Sequence, residues 1–170
     1  MRRHLPHLLA AILLAGTLAP HAAAAQVIEL HAVNSVETMN QSTSWGGGLN
    51  IGSVFVPMRV AVLGLSVGGD YIREQHLGKS LVTATLDATL APAWGDATFV
   101  PYVGGGAGLN WSGGQLTQWP GARVGLDAIA GVKASLGTGQ RVGWKLEERF
   151  GYVRGFQHAY STRLGFLFGL

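Results

Sequence analysis

Three groups of residues in this sequence could carry chemistry. The first is a histidine near a hydroxyl, His158 and Ser161. Three places apart on an extended strand, they project to opposite faces, so a nucleophile and its base could not share a hydrogen bond. His31, His76 and His158 are scattered without ligand-like spacing, and the chain has no Cys, which excludes thiolate metal sites. The second group is the glycine runs GGGLNIG and VGGGAG. Neither is followed by a helical pattern or by Lys-Ser/Thr, as a phosphate loop would be. Glycine there eases strand curvature and close packing. No catalytic, cofactor-binding or metal-binding residue is expected.

The third group is a set of charges of both signs. Asp87, Asp127, Glu147, Arg123, Lys133, Lys145, Arg149 and Arg163 fall in the same alternating phase as Gly and Thr. What they could do depends on the elements that carry them. In LVTATLDATLA, Val82, Ala84, Leu86, Ala88 and Leu90 share one face, and Thr83, Thr85, Asp87 and Thr89 the other. That period of two marks a strand. GARVGLDAIAGVKASLG repeats it, with Ile129 the one apolar residue on the polar face. Six further segments read similarly: 27–33, 45–54, 58–69, 100–111, 140–153 and 158–170. Eight strands result, most of them near the ~9–11 residues a tilted strand needs to cross a bilayer. The first, at seven residues, is short.

The connections alternate. NSVETMNQSTS, DYIREQHLGK and SGGQLTQWP are long and polar, whereas FVP and GTG are tight. Long loops at one end and short turns at the other are the pattern of an outer-membrane barrel. APAWGDAT is longer than that pattern favours.

The chain opens MRRHLPHLLAAILLAGTLAPHAAAAQ. Arg2 and Arg3, an apolar run, and the small residues Ala23, Ala24 and Ala25 form a secretory signal peptide over residues 1–25. A barrel domain over 26–170 follows. Removing the leader takes two of the 12 Lys+Arg and none of the nine Asp+Glu, leaving a net charge of +1. A nucleic-acid partner therefore has no electrostatic support.

Alternation alone does not distinguish a soluble barrel from a membrane one, because the two bury opposite faces. Three features favour an apolar exterior. The apolar face of the sixth strand is mostly Ala, too small for a soluble core at native packing density. Trp45, Tyr71, Trp94, Phe99, Trp111, Trp119, Trp144 and Tyr152 sit mainly near strand ends, where an interface satisfies ring and polar tip together. Eight strands enclose an interior just wide enough to fill with side chains. Asp87, Asp127, Glu147, Arg123, Lys145, Arg149 and Arg163 are expected to pair there as a lumen charge network, each charge with a partner. Such a plug leaves no diffusion pore.

PYVGGGAGLNW, the Ala/Gly-rich strand after it, WKLEERFGYVRG and the final alternating strand resemble the small outer-membrane β-barrel superfamily of the OmpA/OmpX and opacity-protein type. The resemblance spans residues 26–170 and is strongest after Val100. It implies an all-β, eight-stranded antiparallel up-and-down transmembrane barrel in the outer membrane of a Gram-negative cell envelope. Its partners would be outer-membrane lipid, lipopolysaccharide and the barrel-assembly machinery. That machinery would read the C-terminal insertion signal, here Tyr160, Leu164, Phe166, Phe168 and Leu170; the last departs from the usual aromatic. Some barrels of this kind are lipid A deacylases, with His and Ser two places apart on one strand face and an acidic partner. His158 and Ser161 do not match that spacing.

Glu148 falls in the lipid-facing phase beside Leu146 and Phe150. A charge facing mid-bilayer lipid costs on the order of 2 kcal/mol. Either Glu148 lies near the rim, or a β-bulge shifts the register; the bulge is the favoured resolution. The reading is a monomeric, non-enzymatic barrel with a structural or surface-interaction role through its loops at 34–44, 70–79 and 112–120. A lipid A-modifying hydrolase and a soluble periplasmic ligand-binding barrel are the alternatives. Intact-mass measurement of the exported protein is expected to give a chain beginning at Gln26; retention of residues 1–25 would contradict the leader.

Overall fold

The structure, a computed structural model, describes residues 27–37, 42–74, 80–93, 98–113, 122–136, 141–153 and 159–169. The leader, His76, Trp94, Trp119, His158 and Leu170 lie outside the described residues. Eight strands form: β1 Val27–Glu37, β2 Thr43–Pro57, β3 Ala61–Glu74, β4 Ser80–Pro92, β5 Phe99–Gly113, β6 Arg123–Leu136, β7 Val142–Val153 and β8 Ala159–Gly169. Each pairs antiparallel with the next, and β8 closes on β1, with Leu30 opposite Phe166. The chain is an all-β, eight-stranded closed barrel.

The register sets the barrel's shape. Starting at Val27, the hydrogen-bonded row runs through Gly52, Ser66, Asp87, Gly106, Asp127, Gly151 and Ala159. It returns to β1 at Glu37, ten residues from where it left. With ~3.3 Å per residue and ~4.8 Å between strands, that stagger tilts the strands by about 40°. Rows therefore climb towards the loop end, where β1 joins β2, on each crossing in chain order.

Outward positions are apolar and open: Leu30 is 53% exposed, Leu86 58%, Leu126 59% and Phe166 54%. Inward positions shut away the charges, with Asp87 and Glu147 each 2% exposed, and a few apolar residues such as Val33 and Ile72 beside them. This inverts a soluble barrel, whose apolar face would fill the interior. A continuous apolar exterior far exceeds what a monomer in water presents. Near the turn end, Phe99 and Trp144 pack edge to face at 6.0 Å, flanking Ala134, which stands between them in the register. Nearer the loop end the Phe150 and Tyr160 rings pack at a tilt, 5.0 Å between centroids.

Several boundaries differ from the sequence reading. β1 is 11 residues rather than seven. β3 runs five residues past Gly69, into the stretch read as loop. β2 continues to Pro57, so FVP belongs to the strand and the turn falls at 58–60, where the Met58 amide donates to the Ala61 carbonyl at 2.8 Å. The cause is a register shift between Gly52 and Val54, which sets Val54 opposite Leu65 and changes the strand's parity. No such shift occurs at Glu148. The rows run unbroken through Ala130, Glu148 and Thr162, so the carboxylate stays on the outer face, contrary to the expected bulge. Thr162 Oγ1 donates to its Oε1 at 2.8 Å.

Inward glycines make room for the lumen side chains. A Cβ on Gly48 would stand 2.5 Å from both His31 Nε2 and the Gly69 carbonyl oxygen; one on Gly131 would stand 2.6 Å from Tyr102 Cζ and Oη. Gly48→Val is expected to lower stability by about 2 kcal/mol, as overpacking does. Urea unfolding, followed by the shift between folded and unfolded gel bands, measures it.

Candidate functional site

The lumen network grows out of β7. Lys145, Glu147 and Arg149 stand at alternate positions, so the pleat points all three inward. Glu147 is the hub. Its Oε2 accepts from Lys145 Nζ at 3.0 Å and from Tyr102 Oη at 2.8 Å, and its Oε1 accepts from Arg149 Nε at 2.6 Å. Arg163 Nη1 lies 3.6 Å from the same Oε1. Arg149 then reaches across the lumen to Asp87 with both terminal nitrogens, Nη1 at 3.1 Å from Oδ1 and Nη2 on Oδ2. A planar guanidinium facing a carboxylate in this way gives paired, charge-assisted hydrogen bonds. Asp127 Oδ2 is 3.5 Å from Arg149 Nη1.

A second branch climbs towards the loop end. Arg163 Nη2 bonds Asp70, which also accepts from Thr83 Oγ1 at 3.2 Å. His31 lies between two carboxylates, with Nε2 2.6 Å from Asp70 Oδ1 and Nδ1 2.9 Å from Glu29 Oε1. Glu29 Oε2 closes the circuit on Lys145 Nζ at 2.7 Å and accepts from Asn50 Nδ2 at 3.2 Å. Buried Ala91, Tyr102 and Ile129 pack together beside this circuit, which places the apolar exception of the sixth strand in the lumen.

The structure thus brings together Asp87, Asp127, Glu147, Lys145, Arg149 and Arg163. Arg123, grouped with them by phase, corrects that expectation: it is the first residue of β6 and is exposed at the loop end, outside the buried cluster. Glu29, His31, Asn50, Asp70 and Tyr102 belong to the network and were not singled out from the sequence. Glu29 and His31 have the alternation of inward residues in a strand read as short. Asp70 continues the inward phase of Ser66 and Gly68, although the polar stretch it opens, DYIREQHLGK, reads as a loop.

The arrangement fills the lumen with paired charges. Both His31 nitrogens lie close to carboxylates, Nε2 to Asp70 and Nδ1 to Glu29, and its side chain is fully buried. Among the described residues no group of three or more His, Asp or Glu is placed to hold a metal ion. A cavity of about 130 Å³ opens in the turn-side half of the lumen, lined among others by Glu29, Asn50, Ser66, Lys133 and Lys145. Of the insertion-signal residues, Tyr160, Leu164, Phe166 and Phe168 all face outward and are exposed.

No protein-family model matches the chain, and no curated protein matches it in sequence. Solved structures do. Neisserial surface protein A superposes with a TM-score of 0.67 at 14% identity, over 85% of this chain and 97% of that one. The outer membrane enzyme PagL gives 0.57 at 9% identity, over 84% and 99%. Ail, the attachment invasion locus protein of Yersinia pestis, gives 0.56 at 10% identity, over 86% and 97%. The chain has the fold of the small eight-stranded outer-membrane barrels.

Because Glu147 holds three cations and a phenol, Glu147→Gln leaves buried positive charge uncompensated. A loss of about 3 kcal/mol is expected, against about 1 kcal/mol for Tyr102→Phe, which removes a single hydrogen bond. Urea midpoints of the two variants in detergent test the ranking.

Proposed function

We propose that the protein resides in the outer membrane as a non-enzymatic barrel with a structural or surface-interaction role, its loops providing the binding surface. The observation that supports this most is the inside-out wall: among the described residues ten polar or charged side chains are buried within it while large apolar ones from every strand are open outside. A soluble ligand-binding barrel would present the reverse. The plugged lumen argues against an aqueous pore, since eight strands leave little space and the ion pairs take most of it. Neisserial surface protein A and Ail are, by their names, a surface protein and an attachment protein, which fits a role at the cell surface.

A lipid A-modifying hydrolase is the competing reading, favoured by the likeness to an outer membrane enzyme. The described outer wall opposes it. Its mid-height polar pair is Glu148 with Thr162, without a histidine to serve as base. Heat-modifiable migration in detergent extracts of the outer-membrane fraction is the expected outcome, and release without detergent would sink the membrane reading. Mass spectrometry of lipid A with and without expression is expected to show no change. A lost acyl chain would establish the hydrolase instead.

A further inference from the structure

Glu147, Lys145, Glu29, His31, Asp70 and Arg163 form a closed circuit in the lumen. Lys145 Nζ meets Oε2 of Glu147 at 3.0 Å and Oε2 of Glu29 at 2.7 Å. His31 stands between Glu29 and Asp70. Arg163 bonds Asp70 and comes within 3.6 Å of Glu147 Oε1, which returns the circuit to its start. Acid and base alternate around it. His31 is the one vertex whose side chain is ordinarily either neutral or charged near neutrality.

Two observations decide which. Nε2 lies 2.6 Å from Asp70 Oδ1 in a hydrogen bond, and Nδ1 lies 2.9 Å from Glu29 Oε1, off the line of a hydrogen bond but at ion-pair distance. A neutral imidazole has one N–H and one bare lone pair. Whichever nitrogen lacked its proton would set that lone pair against a carboxylate oxygen. Neither carboxylate is a good home for the proton instead. Glu29 is salt-bridged to Lys145 and Asp70 to Arg163, and a protonated acid would forfeit that pair. The second observation is the count. Among the described residues the buried carboxylates are Glu29, Asp70, Asp87 and Glu147, against Lys145, Arg149 and Arg163. Four anions thus face three cations, and a protonated His31 is the fourth. The half-buried Asp127 and Lys133 add one charge of each sign and leave the balance unchanged.

We infer that the lumen binds one structural proton at His31, and that the resulting imidazolium links the two halves of the plug. Glu29 lines the turn-side cavity and Asp70 belongs to the loop-side branch, so the circuit passes between the halves through the imidazole. The charged groups that bear on His31 are Glu29 on its own strand, Asp70 on β3 and Arg163 on β8. Lys145 and Glu147 on β7 reach it through Glu29 and Arg163. β2 contributes Gly48, which is uncharged and leaves room for the ring. Loss of the proton to hydroxide leaves two carboxylates against a neutral ring, and the circuit opens at that vertex. The lock of β1 to β3 across β2 is closed while the proton is held and released in alkali.

The test uses the exported barrel folded in detergent, with heat-modifiable migration as the check on folding. Isotope-edited NMR of the histidine ring nitrogens near neutral pH reads the protonation of His31 directly. His76→Gln combined with His158→Gln leaves His31 as the sole histidine of residues 26–170. Both of its nitrogens are expected to carry a proton. One bare nitrogen would overturn the inference, whether the proton is absent or sits on Glu29 or Asp70. Urea unfolding is then followed from about pH 6 to about pH 10 for the wild type and for His31→Gln, which keeps a neutral donor in place. At the acid end the variant is expected to unfold with a constant about tenfold larger, and the gap is expected to close as pH rises and the wild type loses its proton. A gap that stays the same at every pH would make His31 a packing residue and overturn the proton site. The spectrum needs no substitution at His31, so it decides even where His31→Gln does not fold.

Discussion

Glu147 is the interaction on which the structure turns. An apolar exterior leaves only the lumen for charge, and the lumen of eight strands is too narrow for those charges to stay hydrated. Each must then find a counter-charge, or burial costs more than folding can supply. Glu147 meets that constraint for Lys145, Arg149 and Arg163 at once. Asp87, Asp127, Asp70 and Glu29 take the remaining valences of those cations. The glycines follow from the same geometry. With a side chain at Gly48 or Gly131, His31 and Tyr102 could not reach their partners.

The architecture was legible because a period of two is unambiguous wherever both faces are strict. β4 is such a strand, β6 departs from it at Ile129 alone, and the inward set on β7 is visible from Lys145, Glu147 and Arg149. Legibility failed where a strand's ends are polar or its parity changes. Asp70 and Tyr71 look like loop residues, yet the barrel's stagger carries β3 beyond them. The shift after Gly52 moves the alternation of β2 onto the other parity, so the strand seemed to stop. Glu148 was the opposite case. Its phase is legible in the alternation of β7, but the cost of a carboxylate on the lipid side argues against that phase. Arg123 shows that phase does not give height, since a residue in the right phase at a strand end meets the loop end rather than the lumen.

The role is harder to read than the fold for a physical reason. Barrel physics determines which residues face in or out across the whole wall, and this demand uses most of the side chains. Ligand choice is left to the loops and to departures from the apolar exterior. The Glu148–Thr162 pair on the outer wall is such a departure.

The Arg163–Asp70 bond joins residues 93 positions apart, and Arg163 lies on the strand that closes the barrel against β1. Until β8 docks, Asp70 lacks its guanidinium and Glu147 lacks one of its cations. The plug is therefore completed in the same event that zips the last seam, with the longest-range contacts made last. Water must leave the lumen at that moment, when the charges it solvated first have one another. Assembly of this barrel thus couples two otherwise separate events, sealing the wall and drying the interior. An open-seamed intermediate would have a wet, water-permeable core.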